Sequence, residues 1–258
     1  LKWYENIDGE GTFNSAQEIH PSASFINCQI GDFDGDNDID IVASEAISDA
    51  GMSWFRNEDG QGNFSDRLPF SAATIQNDIT RPHPADIDGD GDLDLLYATS
   101  DDDRIAWSEN LDGQGTFLNT QIIADDEDEV ISVFPADLDG DGDLDVAAAA
   151  IGQNDRLVWY ENLDGQGTFG PANYISFVSA LSVQFAAFDA DGDGDMDLVS
   201  ARRDDTGVFD GGEVYLYRND GNGDIGNALF VGETSHNIVR ELVFEDLDDD
   251  GDIDILVV

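Results

Sequence analysis

Five times the chain spells the same nine-residue acidic loop, with Asp at its first, third, fifth, seventh and ninth positions. The copies are Asp32, Asp34, Asp36, Asp38 and Asp40; Asp86, Asp88, Asp90, Asp92 and Asp94; Asp137, Asp139, Asp141, Asp143 and Asp145; Asp189, Asp191, Asp193, Asp195 and Asp197; and Asp246, Asp248, Asp250, Asp252 and Asp254. Two carboxylates about 4 Å apart repel by ~4 kcal/mol at an effective dielectric near 20. Five in one short turn are tolerable only around a cation. The loops therefore predict five metal sites, and their spacing predicts a repeat protein.

Ligand type narrows the metal. Every side-chain donor in the loops is a carboxylate oxygen, with no Cys or His among them. Such a set favours Ca²⁺, Mg²⁺ or Mn²⁺ over Zn²⁺. Ca²⁺ takes about six to eight oxygens in a pliable cage. Asp side chains at positions 1, 3, 5 and 9, with the carbonyl of residue 7, approach that number. In the second loop these are Asp86, Asp88, Asp90 and Asp94, with the Asp92 carbonyl and its side chain turned outward. Gly at positions 4 and 6 permits left-handed bends around the ion. Asn37 replaces one such Gly and is the next most tolerant residue there. Asp249 replaces another, where strain is expected. An EF-hand would need a Glu at position 12 between two helices, whereas this loop ends at 9 and enters a strand. The expected cofactor is Ca²⁺, one ion per loop.

The loops begin at residues 32, 86, 137, 189 and 246, at intervals of 54, 51, 52 and 57. Two other signatures keep this beat. One is Trp3-Tyr-Glu-Asn6, Trp54-Phe-Arg-Asn57, Trp107-Ser-Glu-Asn110, Trp159-Tyr-Glu-Asn162 and the variant Leu216-Tyr-Arg-Asn219. The other is an Asp-Gly-Gln-Gly-Thr-Phe type turn beginning at Asp8, Asp59, Asp112, Asp164 and, in degenerate form, Asp220. Each unit reads as four short strands. The first precedes the loop, the second follows it, the third carries the Trp, and the fourth begins after the glycine turn. Period-two alternation and β-branched or aromatic residues support strands throughout. Four strands in about 50 residues, repeated, describe a propeller blade.

The predicted fold class is thus all-β: a β-propeller of four-stranded blades with five repeats. A single domain over 1–258 divides into repeats at 242–258 plus 1–20, 24–76, 79–124, 130–176 and 181–235. The chain starts in a third strand and stops in a second, so a blade split between the N- and C-termini is expected to close the ring and leave no sheet edge. The competing reading is an excerpt of a longer ring or array. The chain opens without Met, and trimming from a longer precursor is expected.

Composition excludes some partners. The chain carries 10 Lys+Arg against 58 Asp+Glu, a formal charge of -48. Such a surface repels nucleic acid and anionic lipid. No apolar run reaches the ~18 residues that cross a bilayer as a helix, so membrane insertion is not expected. An apolar content of 40% argues against disorder. Cys28 is the sole cysteine, which rules out an internal disulfide, and it is expected to be a small buried apolar residue.

At these residues the chain resembles the FG-GAP/VCBS repeat family, whose best-known members are the β-propeller heads of integrin α chains. The matching motif is Asp-x-Asp-Gly-Asp-Gly-x-x-Asp followed by a strand, and it runs through all five repeats. The Trp-Tyr-Glu-Asn and Asp-Gly-Gln-Gly-Thr-Phe pieces look like the bacterial secreted branch. The resemblance implies calcium ligands at positions 1, 3, 5, 7 and 9 of each loop. Family propellers are usually seven-bladed, and five repeats depart from that pattern. Members include adhesion modules, some lectins and accessory domains of polysaccharide-degrading proteins.

The remaining residues give weaker signals. Trp3, Trp54, Trp107 and Trp159 are expected to pack between blades; the alternative is a sugar-stacking ladder. Asn27, Arg81, Ser132, Gln184 and Glu241, five places before each loop, are expected to line a central channel. His20, His83 and His236 fall at different phases, so no His cluster recurs. No Ser-His-Asp order or phosphate loop is present. The expected function is a non-catalytic, calcium-binding extracellular adhesion, scaffold or assembly module. Its partner would be a protein or glycan on a cell surface or in an extracellular matrix, and it could form part of a longer chain or assembly. The alternative is a lectin or an accessory domain of a polysaccharide-degrading protein; a glycosidase or lyase would need further acidic or His residues converging at one channel mouth. Extracellular calcium modules often bind at ~10⁻⁴ to 10⁻³ M, which points to an extracellular or cell-surface location.

Overall fold

The computed structural model describes residues 1–21, 25–45, 51–70, 82–99, 103–127, 129–151, 156–177, 182–203, 211–234, 239, 242–248 and 250–257. These contain twenty strands and no helix. Four antiparallel sheets of four strands follow one another along the chain. Blade I is β3 (Phe25–Gly31), β4 (Asp40–Glu45), β5 (Met52–Phe55) and β6 (Leu68–Pro69). Blade II is β7 (His83–Ala85), β8 (Asp94–Thr99), β9 (Arg104–Asn110) and β10 (Phe117–Ala124). Blade III is β11 (Val130–Ala136), β12 (Asp145–Ala150), β13 (Arg156–Tyr160) and β14 (Asn173–Phe177). Blade IV is β15 (Ser182–Phe188), β16 (Asp197–Arg203), β17 (Gly212–Tyr217) and β18 (Leu229–Glu233). Two two-stranded sheets remain: β1 (Lys2–Trp3) with β2 (Gln17–Glu18), and β19 (Leu242–Glu245) with β20 (Asp254–Val257). The architecture is all-β and propeller-like.

Register fixes the acidic loops. In all five units the residue before the loop pairs with its ninth Asp: Gly31 with Asp40, Ala85 with Asp94, Ala136 with Asp145, Phe188 with Asp197 and Glu245 with Asp254. The loop is therefore the turn of the hairpin between the first two strands. The fourth strand begins at the Phe of the glycine turn only in blade II, at Phe117. Phe13, Phe64 and Phe169 instead form single bridges to Asn6, Asn57 and Asn162, and regular pairing resumes a few residues later.

The core lies between blades. Ile87 of blade II packs with Leu144, Val146 and Phe169 of blade III. Phe33 of blade I packs with Leu93, Leu95 and Phe117 of blade II, and Leu138 of blade III with Met196, Leu198 and Ile225 of blade IV. In blades II and III the second strand is covered on both faces, which is why β12 reads Asp-Val-Ala-Ala-Ala-Ala and, like β8, is buried along its whole length.

The half-blades each cover one neighbour. Sheet β19–β20 stacks on blade IV through Phe244, whose ring lies 4.5 Å from that of Phe188. Sheet β1–β2 rests on blade I, with Trp3 edge-on to Phe64 at 6.5 Å. Strands β20 and β1 are not paired among the described residues, and no described sheet closes a ring. Cys28 is exposed, against expectation. Its counterparts Val133 and Phe185 are buried against the preceding blade, whereas among the described residues the unit before β3 is represented only by its β1–β2 half, unpaired with β19–β20. Ile26 and Ile30 on the same face are exposed for the same reason.

Candidate metal centre

Each loop wraps its backbone around its own carboxylates. In blades I, III and IV the first Asp accepts the N–H groups of residues 4 and 6. Asp137 takes those of Gly140 and Gly142 at 2.8 and 3.1 Å, and Asp189 those of Gly192 and Gly194 at 2.7 and 3.0 Å. Such inward curvature needs positive φ at both residues, met by Gly140 and Gly142 at 76° and 97°. Asn37 adopts φ 69° in place of a Gly, as expected. Asp249 lies outside the described residues. The fifth Asp accepts the N–H of the seventh, as Asp90 does from Asp92 at 3.0 Å.

These bonds gather the carboxylates. Ligand atoms within 4.8 Å of one another come from Asp32, Asp34 and Asp36; Asp86, Asp88 and Asp90; Asp137, Asp139 and Asp145; Asp189, Asp191 and Asp197; and Asp246, Asp248 and Asp250. Positions 1 and 3 join every cluster, position 5 joins three and position 9 joins two. The side chain at position 7 joins none. It lies against the glycine turn of its own blade, where a Cβ on Gly113 would clash with the Asp92 carboxylate. Among the described residues, the buried oxygens Asp34 Oδ1 and Asp86 Oδ1 have no hydrogen-bond partner. A buried carboxylate oxygen without a partner is costly, and a hard cation would satisfy it. The donor set thus fits calcium.

The ninth Asp does two jobs. Asp94, Asp145 and Asp197 are buried. Asp145 accepts N–H bonds from Leu138 at 3.0 Å and Asn162 at 2.8 Å, and Asp94 does the same with Ile87 and Asn110. Burial pushes the carboxyls of Asp94 and Asp145 up to about 7, and that of Asp40 to about 6, against those hydrogen bonds. Repulsion from other carboxylates of the loop acts in the same upward direction. In the absence of a cation, protons would serve in its place.

The Asn of the tryptophan signature is a residue that metal-ligand reasoning passed over. Its amide NH₂ ties its blade to the one before. Asn110 Nδ2 donates to Phe33 O at 2.9 Å, Asn162 to Ile87 O at 2.9 Å and Asn219 to Leu138 O at 2.7 Å. In blades II and III its Oδ1 accepts from the glycine turn, as from Gly115 N at 3.0 Å and Gly167 N at 3.1 Å. Each acceptor carbonyl belongs to loop position 2, so the acidic loop of one blade is bolted to the turn of the next. The only available signal was recurrence of Asn at one phase in all five units.

The tryptophans pack between blades. Trp54, Trp107 and Trp159 are buried and lie over Gly115, Gly167 and Gly223 of the next blade, where any Cβ would clash with the indole. In the candidate channel ring, Asn27 and Ser132 are half-buried. Arg81, Glu241 and the Gln184 side chain lie outside the described residues. His20 and His83 sit against Phe25 and Phe134 respectively, and His236 lies outside the described residues.

A family model, the FG-GAP-like repeat, matches residues 32–97, 86–148 and 137–200. Its three overlapping copies run unbroken across more than half of the chain, and each spans two consecutive acidic loops. The chain belongs to the FG-GAP-like repeat family. Repeats of this family commonly bind calcium. Among solved structures, the chain is similar to the rhamnogalacturonan lyase YesW, at 16% identity and a TM-score of 0.48. That alignment covers 92% of this chain and 55% of the lyase. A search of curated proteins returns no match.

Proposed function

We propose that this FG-GAP-like chain is a non-catalytic, calcium-stabilised propeller module of the extracellular space or cell surface, holding one Ca²⁺ in each of its five loops. The observation that carries the reading is the bolt between loop and neighbour: Asn162 spans Asp145 of its own blade and Ile87 of the preceding loop. Folding a loop around a cation therefore also sets the surface on which the next blade docks. When bound, the ion supplies charge neutralisation and directional oxygen ligation. Asp at positions 1, 3, 5 and 9, with the carbonyl at 7, would hold it. Millimolar calcium fills such loops, which favours an extracellular setting.

The half-blades support ring closure, with β20 pairing to β1. A cleft of about 550 Å³ is lined by Trp3, Ile30, Ile39, Ile41, Asn57 and Phe64. Its lining matches the pockets that receive Phe33, Ile87 and Leu138 at the complete interfaces. The equivalent residue of the fifth loop is Leu247, which is 58% exposed. Seated there, Leu247 would bring its carbonyl to Asn57, completing a five-bladed ring.

The partner is a protein or glycan on a cell surface or in a matrix, with adhesion or assembly as the role. Burial of Trp54, Trp107 and Trp159 weighs against a sugar-stacking ladder on those rings. A glycan array in millimolar calcium separates adhesion from lectin activity. Silence on the array, with capture of a cell-surface protein partner, supports the reading. Micromolar binding to one glycan class, abolished by substitutions at Asn27 or Ser132, would make a glycan the partner and replace the adhesion or assembly role with that of a lectin.

A further inference from the structure

The third residue of the tryptophan signature stands beside the acidic loop of its own blade, and its charge differs between blades. It is Arg56 in blade I, Glu109 in blade II, Glu161 in blade III and Arg218 in blade IV. Arg56 reaches Asp34 at 3.6 Å, and Arg218 reaches Asp191 at 3.2 Å. Both carboxylates hold position 3 and belong to the clusters of their loops. The Asp34 side chain is only 7% exposed, and its other oxygen is the unpartnered Oδ1. In blades II and III a like charge stands in the guanidinium's place. Glu109 and Glu161 each directly precede the Asn whose backbone N–H bonds the ninth Asp of the loop, Asn110 to Asp94 and Asn162 to Asp145 at 2.8 Å, the place that Arg56 holds before Asn57 and Arg218 before Asn219.

We propose that the loops form two classes of cation site: tight ones in blades II and III, backed by Glu109 and Glu161, and weak ones in blades I and IV, where Arg56 and Arg218 occupy an oxygen of the third ligand. This rests on reading the loops as calcium sites. All four loops carry the same five Asp, so ligand identity does not distinguish them. The neighbouring residue does, by two formal charges. Coulomb's law for that difference acting on a divalent ion a few ångströms away, reduced by salt, amounts to about tenfold in affinity. As calcium rises, the faces that loops II and III present to blades III and IV are set first. Loops I and IV, in the blades that flank the half-blades, fill last.

The test is equilibrium dialysis of the full chain against calcium at fixed ionic strength, with circular dichroism confirming that each variant is folded. Wild type is expected to bind two ions at least tenfold more tightly than two others, with the fifth loop as a further site. Arg56→Gln with Arg218→Gln should draw the weak pair toward the tight pair. Glu109→Gln with Glu161→Gln should loosen the tight pair. These pairs are read independently, so misfolding of one leaves the other decisive. A single affinity class that neither pair alters overturns the grading while leaving calcium binding intact. No bound calcium at all overturns the underlying reading instead.

Discussion

The interface between blades II and III and the half-covered face of blade I are built from the same signatures, yet they differ in burial. At the first, Ile87 is buried, Val133 is covered, and Asn162 bonds across to Ile87 O at 2.9 Å. At the second, Ile39 is 51% exposed and Cys28 is open to solvent. There Asn57 Nδ2 reaches Ile39 O of its own blade at 3.3 Å, and no cross-blade bond is found among the described residues. The ninth Asp does not follow this division: Asp40 of blade I is as buried as Asp145, and Asp254 of the fifth unit is the exposed one. A blade's sequence therefore specifies two adhesive faces, and burial of each depends on its neighbour. Seating one Leu side chain contributes about 2 kcal/mol, and one buried amide bond about 1 kcal/mol.

The largest expected effect is that of chelation. Ion binding to the native state alone adds ~2.7 kcal/mol per site at a hundredfold excess over Kd. Stripping the loops with EDTA should therefore lower the melting temperature by more than about 10 °C; an unchanged melt contradicts a structural metal. In EDTA the pH dependence should also invert the usual carboxylate pattern. Asp94 and Asp145 have folded pKa values of about 7, above those of the unfolded chain. The folded state then holds more protons than the unfolded one, and stability should fall as pH rises from about 4 to 7. Saturating calcium should flatten that slope.

Substitutions at position 2 come next. Ile87→Asp should cost about 3 to 5 kcal/mol, because it places a charge inside a complete interface. Leu247→Asp should cost nearly as much if Leu247 fills the blade I cleft, and under about 0.5 kcal/mol if that loop stays solvated. Denaturant melts of the two variants compare the regions directly. The amides offer a smaller, independent version. Asn162→Ala should cost about 2 to 3 kcal/mol by leaving buried groups unpaired. Asn6→Ala should match it in a closed ring and be nearly silent in an open one. Asp90→Ala should remove one ion by count, leave the other four, and cost about 2 to 3 kcal/mol in saturating calcium, one site's share of the chelation effect.

Much of this was legible in the sequence because a repeat states its own period. Asp at fixed spacing gave the loops, Gly at positions 4 and 6 gave their curvature, and the phase of Trp107 and Trp159 favoured packing over stacking on sugar. What stayed hidden depends on relations between blades. The Asn162 amide needs the carbonyl of Ile87, 75 residues away in sequence, and no local pattern names that partner. The pairing of Arg56 with Asp34 was likewise invisible, because a charge beside an acidic loop reads as ordinary surface. Cys28 misled because its composition and phase both indicate burial, while its neighbour is a half-blade formed at the other end of the chain. The fourth strands began late because the glycine turn closes on a single Asn–Phe bridge before regular pairing resumes.

The central claim is that the clustered aspartates are cages whose filling fixes the faces on which blades dock. A crystal structure grown in millimolar calcium, with anomalous scattering recorded to identify the ion, tests it most directly. The account predicts a calcium peak in every loop, ligated by the Asp at positions 1, 3, 5 and 9 and the carbonyl at 7. Water alone among those carboxylates, with the Asn110, Asn162 and Asn219 bonds still in place, would contradict it.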